Sequence, residues 1–280
     1  MRQHQALYTG ASMPSVGLGT WESPLGLVGH AVSEALAAGY RHIDAAWIYQ
    51  NESEVGPALA AVPREELFAT SKLWNNFRSA RAVRMAFEES LRALRLEYLD
   101  LYLVHFAVGD YVEVWREMER LVDEGKCKAI GVSNFERPDL ERLLAACRIR
   151  PAVIQIELHP RLPRADYVKW CQAQGLVVTA YSPLGRGPRG GLLDDPVVAS
   201  VAKKHDLPPA IVLLKWNLQR NVVVIPKSVT PARIRENISP QLWAFELDDD
   251  DLKAIATLDD GTRFVPFFTN PAAAAAAGPA

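Results

Sequence analysis

The chain alternates between two hydrophobic patterns. Short runs rich in β-formers recur at SVGLGT (15–20), RHIDAA (41–46), ELFATSKL (66–73), LDLYLVH (99–105), CKAIGVSN (127–134), AVIQIELH (152–159), LVVTAYSP (176–183) and NVVVIPKS (221–228). Runs of this length bounded by turn residues read as buried parallel strands. Between them the apolar positions change to helical spacing. From Tyr111 to Gly125, Tyr111, Val114, Trp115, Met118, Leu121 and Val122 share a face, and Gly125 stops the helix. From Ser79 to Leu96, a capping serine precedes Val83, Phe87, Leu91 and Leu94, with Glu88 and Arg92 paired on the surface. Pro138, Pro209 and Pro231 sit in early helical turns, where a missing N–H costs little. Ahead of the first strand, Gln5 to Leu18 predicts a hairpin turning at Thr9-Gly10.

Eight β-then-α units with no linker predict one α/β domain, a (β/α)8 TIM barrel over residues 1–270, with an N-terminal β-hairpin and an extra C-terminal helix or loop. A doubly wound sheet is the competing fold. It would place a phosphate-binding glycine motif after its first strand, and GLGTWESPLG supplies none. The single GxGxxG match, Gly185 to Gly190, follows the seventh strand and is read as a barrel loop. Residues 271–280 are alanine-rich and uncharged, and a frayed tail is expected there.

Composition narrows the function classes. A net charge of −2 gives no footprint for nucleic acid or an anionic membrane. No apolar run approaches the roughly 20 residues of a membrane span, and MRQHQALYTG lacks a signal-peptide core. Three widely spaced cysteines, Cys127, Cys147 and Cys171, read as reduced thiols of a cytoplasmic protein. Six histidines are scattered singly without ligand spacing, so no metal is expected.

Four residues at or beyond successive strand ends carry the candidate chemistry: Asp44, Tyr49, Lys72 and His105. In a parallel barrel the strand C-termini share one face, so the four converge. Tyrosine titrates near 10 when unperturbed, and a buried ammonium beside it would lower that value. The expected roles are Tyr49 general acid, Lys72 pKa tuner, Asp44 counter-charge and orienter, and His105 carbonyl binder. His42 is expected to point the opposite way from Asp44, into packing, and His159 to be structural.

The chain resembles the aldo-keto reductase superfamily over nearly its whole length. The matching stretches are GYRHIDAAWIYQNESEVG (39–56), SKLWN (71–75), DLYLVH (100–105), KAIGVSNF (128–135), QIELHP (155–160), AYSPLG (180–185) and IPKSVTPARIRENI (225–238). The nearest likeness is to the bacterial branch of 2,5-diketo-gluconate reductases and broad aldehyde reductases. The resemblance implies a (β/α)8 barrel, a catalytic tetrad on Asp44, Tyr49, Lys72 and His105, and NADPH bound across the barrel mouth.

It also implies cofactor contacts. Thr20 and Asp44 would border the cofactor, and Ser133, Asn134 and Gln155 would hold the nicotinamide carboxamide. Tyr181 would stack under the ring, and Ser182 and Leu184 would cover the pyrophosphate. Lys227, Ser228 and Arg233 would hold the 2′-phosphate, and Glu236 and Asn237 the adenine amine. Trp21, Ile48, Trp74, His105 and Phe106 would form the substrate pocket.

Three stretches depart from the family pattern. Ile154 replaces a common asparagine, Phe106-Ala107 replaces a frequent Trp-Pro, and GTRFVPFFTNP is an unusual ending that would bring Phe264, Phe267 and Phe268 over the pocket. The expectation is a cytoplasmic, monomeric, NADPH-dependent reductase of small carbonyl compounds. The rival is a barrel that binds NADPH as a redox sensor or scaffold without turnover.

Overall fold

In the computed structural model, which describes residues 3–186 and 191–265, the chain opens with a hairpin, β1 (His4–Ala6) and β2 (Ser12–Pro14), paired antiparallel. Gly10 makes its turn at φ +87°, a conformation that suits glycine. Each of the eight predicted runs then holds a strand: β3 (Leu18–Gly19), β4 (His42–Asp44), β5 (Phe68–Leu73), β6 (Leu101–Val104), β7 (Ile130–Ser133), β8 (Val153–Glu157), β9 (Val177–Tyr181) and β10 (Val222–Val224). They pair in parallel in chain order. Gly17 N donates to Val224 O at 2.8 Å and Val224 N to Ser15 O at 2.9 Å, which joins the first strand to the last and closes a (β/α)8 barrel.

Helices α1 (Val28–Ala37), α2 (Glu52–Leu59), α3 (Ala80–Leu94), α4 (Tyr111–Asp123), α5 (Arg137–Ala146) and α6 (Ala165–Ala173) each follow one strand. Two helices, α7 (Pro196–Lys204) and α8 (Pro209–Gln219), follow β9. Three follow β10: α9 (Pro231–Glu236), α10 (Gln241–Ala244) and α11 (Asp249–Ala256), so the extra C-terminal helix is present. Local signals act as the sequence suggests. Ser79 Oγ accepts from Ala82 N at 3.3 Å to start α3, and Gly125, at φ +69°, lies just beyond α4. Among the described residues no helix is long and apolar enough to cross a membrane.

Strand alternation sorts the core into two layers. Ala69, Leu73, Tyr102, Val104, Ile130, Val132, Ile154 and Ile156 face the helices. Phe68, Leu101, Leu103, Val153 and Val223 face the lumen, where Leu7 and Met13 pack with them. The same alternation carries Asp44, Lys72, Gln155 and Glu157 to the lumen side at the strand C-termini. That polar layer is the floor of the site.

Two expectations change here. His42 stands two residues before Asp44, and a period of two puts both on one side. It is buried against Phe68, with ring centroids 5.1 Å apart, and its Nε2 lies 3.3 Å from Thr70 Oγ1. Burial pushes its pKa down to about 4, so it is a neutral packing residue inside the barrel. Ile154 faces the outer core, so the departure there does not reach the mouth. His159 is structural as expected: fully buried, 3.1 Å from Glu157 Oε1.

Candidate active site

The four candidate residues converge at the C-terminal mouth. Lys72 is fully buried near the end of β5, and Asp44 ends β4 beside it. Lys72 Nζ donates to Asp44 Oδ1, to Ala45 O at 2.8 Å and to Tyr49 Oη at 3.2 Å. An ammonium has three donors, so none is left unsatisfied. Asp44 Oδ2 accepts from Gln155 Nε2 at 2.7 Å, which fixes the carboxylate from its other side. Tyr49 closes a short 3-10 turn, Trp47–Tyr49, and Gln50 follows in the left-handed region at φ +54°. Tyr49 Oη accepts from Lys72, which leaves the phenolic proton to be given away.

The electrostatics correct one expectation. Burial raises the Tyr49 pKa well above 10, and the Asp44 and Glu52 carboxylates push it the same way. Lys72 is itself lowered by burial, against the pull of Asp44. In the free chain Tyr49 is therefore held as the protonated phenol rather than poised near neutrality. That is the form a proton donor needs, and the Lys72 hydrogen bond would stabilise the oxygen of a deprotonated phenol. Burial, with Lys72 adding to it, holds His105 well below its usual value, so its imidazole is neutral. Its Nδ1 is buried without a partner among the described residues.

Asp44, Tyr49 and His105 line a cavity of about 790 Å³ that runs from the tetrad to α9. Aromatic rings wall its deep end. Trp21 lies 4.8 Å from Tyr49, Trp74 5.1 Å from His105, and Phe106 stacks on His105 at 5.2 Å between centroids. Ile48 completes this wall, so every residue assigned to the substrate pocket borders the cavity. Lys72 lies behind it and reaches it through Tyr49 and Asp44.

The residues assigned to the nicotinamide are brought together and bonded to one another. Ser133 Oγ donates to Gln155 O at 3.0 Å. Asn134, at φ +59°, donates from Nδ2 to His105 O at 3.0 Å and to Ser133 Oγ at 3.1 Å, and accepts from Tyr181 Oη at 2.8 Å. Ser182 and Leu184 line the next stretch, and Lys227, Ser228, Arg233, Glu236 and Asn237 the far end. Thr20 is the exception. It is fully buried, it does not line the cavity, and its Oγ1 donates to Asp44 O at 3.0 Å. Its place is under the Asp44 backbone.

Other features had no local sequence signal. Glu22 and Arg186 both line the cavity and are paired at 2.5 Å. Glu157 is buried and accepts from Phe264 N at 2.7 Å and Val265 N at 3.4 Å, which anchors the C-terminal stretch. That stretch brings Val265 to the cavity and sets Phe264 on His159, 4.6 Å away, so Phe264 is not a cavity residue. Phe267, Phe268, the 271–280 tail and most of the Gly185–Gly190 match lie outside the described residues.

The comparisons with known proteins agree with this geometry. The profile of the Aldo/keto reductase family matches residues 15–260. The chain belongs to that family. It is 44% identical to aldo-keto reductase family 1 member A1 of Rattus norvegicus and to that of Homo sapiens, in each case over 94% of this chain and 91% of the relative. Among solved structures, an aldose reductase from Schistosoma japonicum superposes with a TM-score of 0.90 at 42% identity, covering 97% of both chains. An aldo-keto reductase from a Medee basin deep-sea metagenome also superposes with a TM-score of 0.90, at 40% identity, over 93% of this chain and 97% of the other. Membership makes the chain an oxidoreductase of a family that uses nicotinamide cofactors, generally NADPH.

Proposed function

We propose that this chain reduces small carbonyl compounds to alcohols with NADPH, Tyr49 giving the proton. The observation that carries the reading is the Lys72 ammonium. All three of its donors are engaged, one of them on the oxygen of a protonated tyrosine at the cavity wall. Asp44 compensates the buried cation, Gln155 holds Asp44, and the aromatic wall excludes water from the transfer. His105 is neutral with no acceptor at Nδ1, so its proton belongs on the other ring nitrogen, where it can donate to a carbonyl oxygen.

The chain's residues fit the cofactor. Gln155 Oε1 makes no hydrogen bond among the described residues and can accept from a carboxamide. Tyr181 offers a ring face, and Lys227, Ser228 and Arg233 offer two cations and a hydroxyl to a phosphate dianion. When bound, the nicotinamide supplies the hydride. The resemblance read from the sequence motifs, to 2,5-diketo-gluconate and broad aldehyde reductases, puts aldehydes, α-dicarbonyls and diketo sugar acids on the substrate panel. Three free cysteines suit a reducing cytoplasm, and a monomer is the state this reading takes.

The test is NADPH absorbance loss on adding that panel. Turnover that ranks the panel supports the reading. Tight NADPH binding with no carbonyl reduced would replace it with a cofactor-binding barrel that lacks turnover.

A further inference from the structure

Glu52 is a buried carboxylate that the mechanism above leaves without a role. It opens α2, three residues after Tyr49. Its Oε1 accepts from Ser71 Oγ at 2.5 Å and its Oε2 from Ser90 Oγ at 2.9 Å. Both serines are fully buried. Ser71 immediately precedes Lys72 on β5, and alternation turns Ser71 to the helix side while Lys72 faces the lumen. The result is a closed circuit. It runs from Tyr49 along the chain to Glu52, across to Ser71, on to Lys72, and back to Tyr49 through the 3.2 Å bond. Ser90, on α3, holds the same carboxylate and lies outside that circuit.

We infer that Glu52 is a positioning residue for the proton donor: its bond to Ser71 locks the Tyr49 segment to the strand of Lys72, and its carboxylate stands as a negative neighbour of the phenol. The inference rests on Tyr49 being the acid. Neighbouring residues add to the clamp. Asn51 Nδ2 donates to Thr20 O at 2.9 Å, so the residue before Glu52 is tied to the end of β3.

Charged and titratable groups face this carboxylate from every side. They are Lys72 on β5, Glu89 on α3, Tyr102 on β6 and Tyr49 itself, with Asp44 on β4 beyond Lys72. Burial raises the Glu52 pKa, and the two serine hydroxyls and Lys72 pull it back. In return Glu52 adds to the rise at Tyr49, after burial and Asp44.

Three variants separate the clamp from the charge. Ser71→Ala breaks the circuit and should lower kcat at least about fivefold, with NADPH affinity by tryptophan quenching within about twofold. Ser90→Ala removes the other hydrogen bond and should keep kcat within about twofold. Glu52→Gln keeps the shape and the serine bonds, because hydroxyls can rotate to donate or accept. It should move the alkaline limb of kcat to lower pH, because losing a negative neighbour favours phenolate. Ultraviolet titration of the free protein, taken as the difference from its Tyr49→Phe counterpart, should show the same downward shift.

Equal losses in Ser71→Ala and Ser90→Ala would overturn the clamp. A Glu52→Gln titration identical to wild type would overturn the charge role. If Ser71→Ala fails to fold, the isosteric Glu52→Gln titration still decides the charge role. If wild type reduces no carbonyl, the functional reading fails while the free-protein titration continues to test Glu52.

Discussion

The two ends of the cavity are built on opposite plans. At the tetrad end every charge is buried and engaged: Lys72 with Asp44, Ala45 O and Tyr49, and Asp44 with Gln155. At the α9 end, Lys227 and Arg233 are exposed and make no ion pair among the described residues. Water cannot screen the first set, and its geometry exists before any ligand arrives. The second set is more open to solvent and is screened by salt. On the proposed reading, one end holds and moves a proton, and the other recognises a charge.

Removing one buried ion should break the contrast most severely. Lys72→Met leaves Asp44 without its cation, so turnover should collapse and unfolding free energy should fall by about 3–5 kcal/mol. Calorimetry showing no loss of stability would mean that Asp44 takes up a proton at little cost, and that the pair is not an ion pair.

At the exposed end the expected effect is selective. Lys227→Ala or Arg233→Ala should weaken NADPH about tenfold or more and leave NADH nearly unchanged, since a charge-assisted bond contributes about 1.5–3 kcal/mol. Equal losses for both cofactors would remove the 2′-phosphate from this end. Salt gives a smaller, graded version of the same test. Raising ionic strength from about 0.05 to 0.5 M should weaken NADPH binding several-fold while kcat stays level. A kcat that tracked salt instead would place solvent at the tetrad.

The pH profile should show the smallest change. Tyr49 is raised, so it keeps its proton until the pH climbs well above 10. His105 is lowered, so it stays neutral until the pH falls well below 6.5. Reduction at saturating substrate should be flat between about pH 6.5 and 9. A limb near neutrality would show that Lys72 lowers the phenol after all.

What the sequence made legible follows from the range of its signals. All eight strands and the tetrad were readable because β-runs, caps and strand-end positions are local patterns. The convergence of the four candidate residues needed only the rule that parallel strands share a C-terminal face. Partnerships across the barrel were not readable. Nothing near residue 44 says that Gln155 will hold it, and nothing near residue 22 points to Arg186. Glu52 was visible only as a charge in a helix's first turn, because its serines come from β5 and α3. His42 shares the side of Asp44 because a strand's period of two puts residues 42 and 44 on one face. The Tyr49 pKa is not legible from its one attractive neighbour, because the burial that outweighs Lys72 is set by the whole mouth.

The proposed function turns on Tyr49 as the proton donor. Its most direct test is NADPH-dependent aldehyde reduction by Tyr49→Phe beside wild type, with cofactor affinity read from tryptophan quenching. With Tyr49 as the acid, kcat should fall by about 10²–10⁴ while NADPH binds as before. Turnover in the variant equal to wild type would contradict it and pass the donor's role to another group at the mouth.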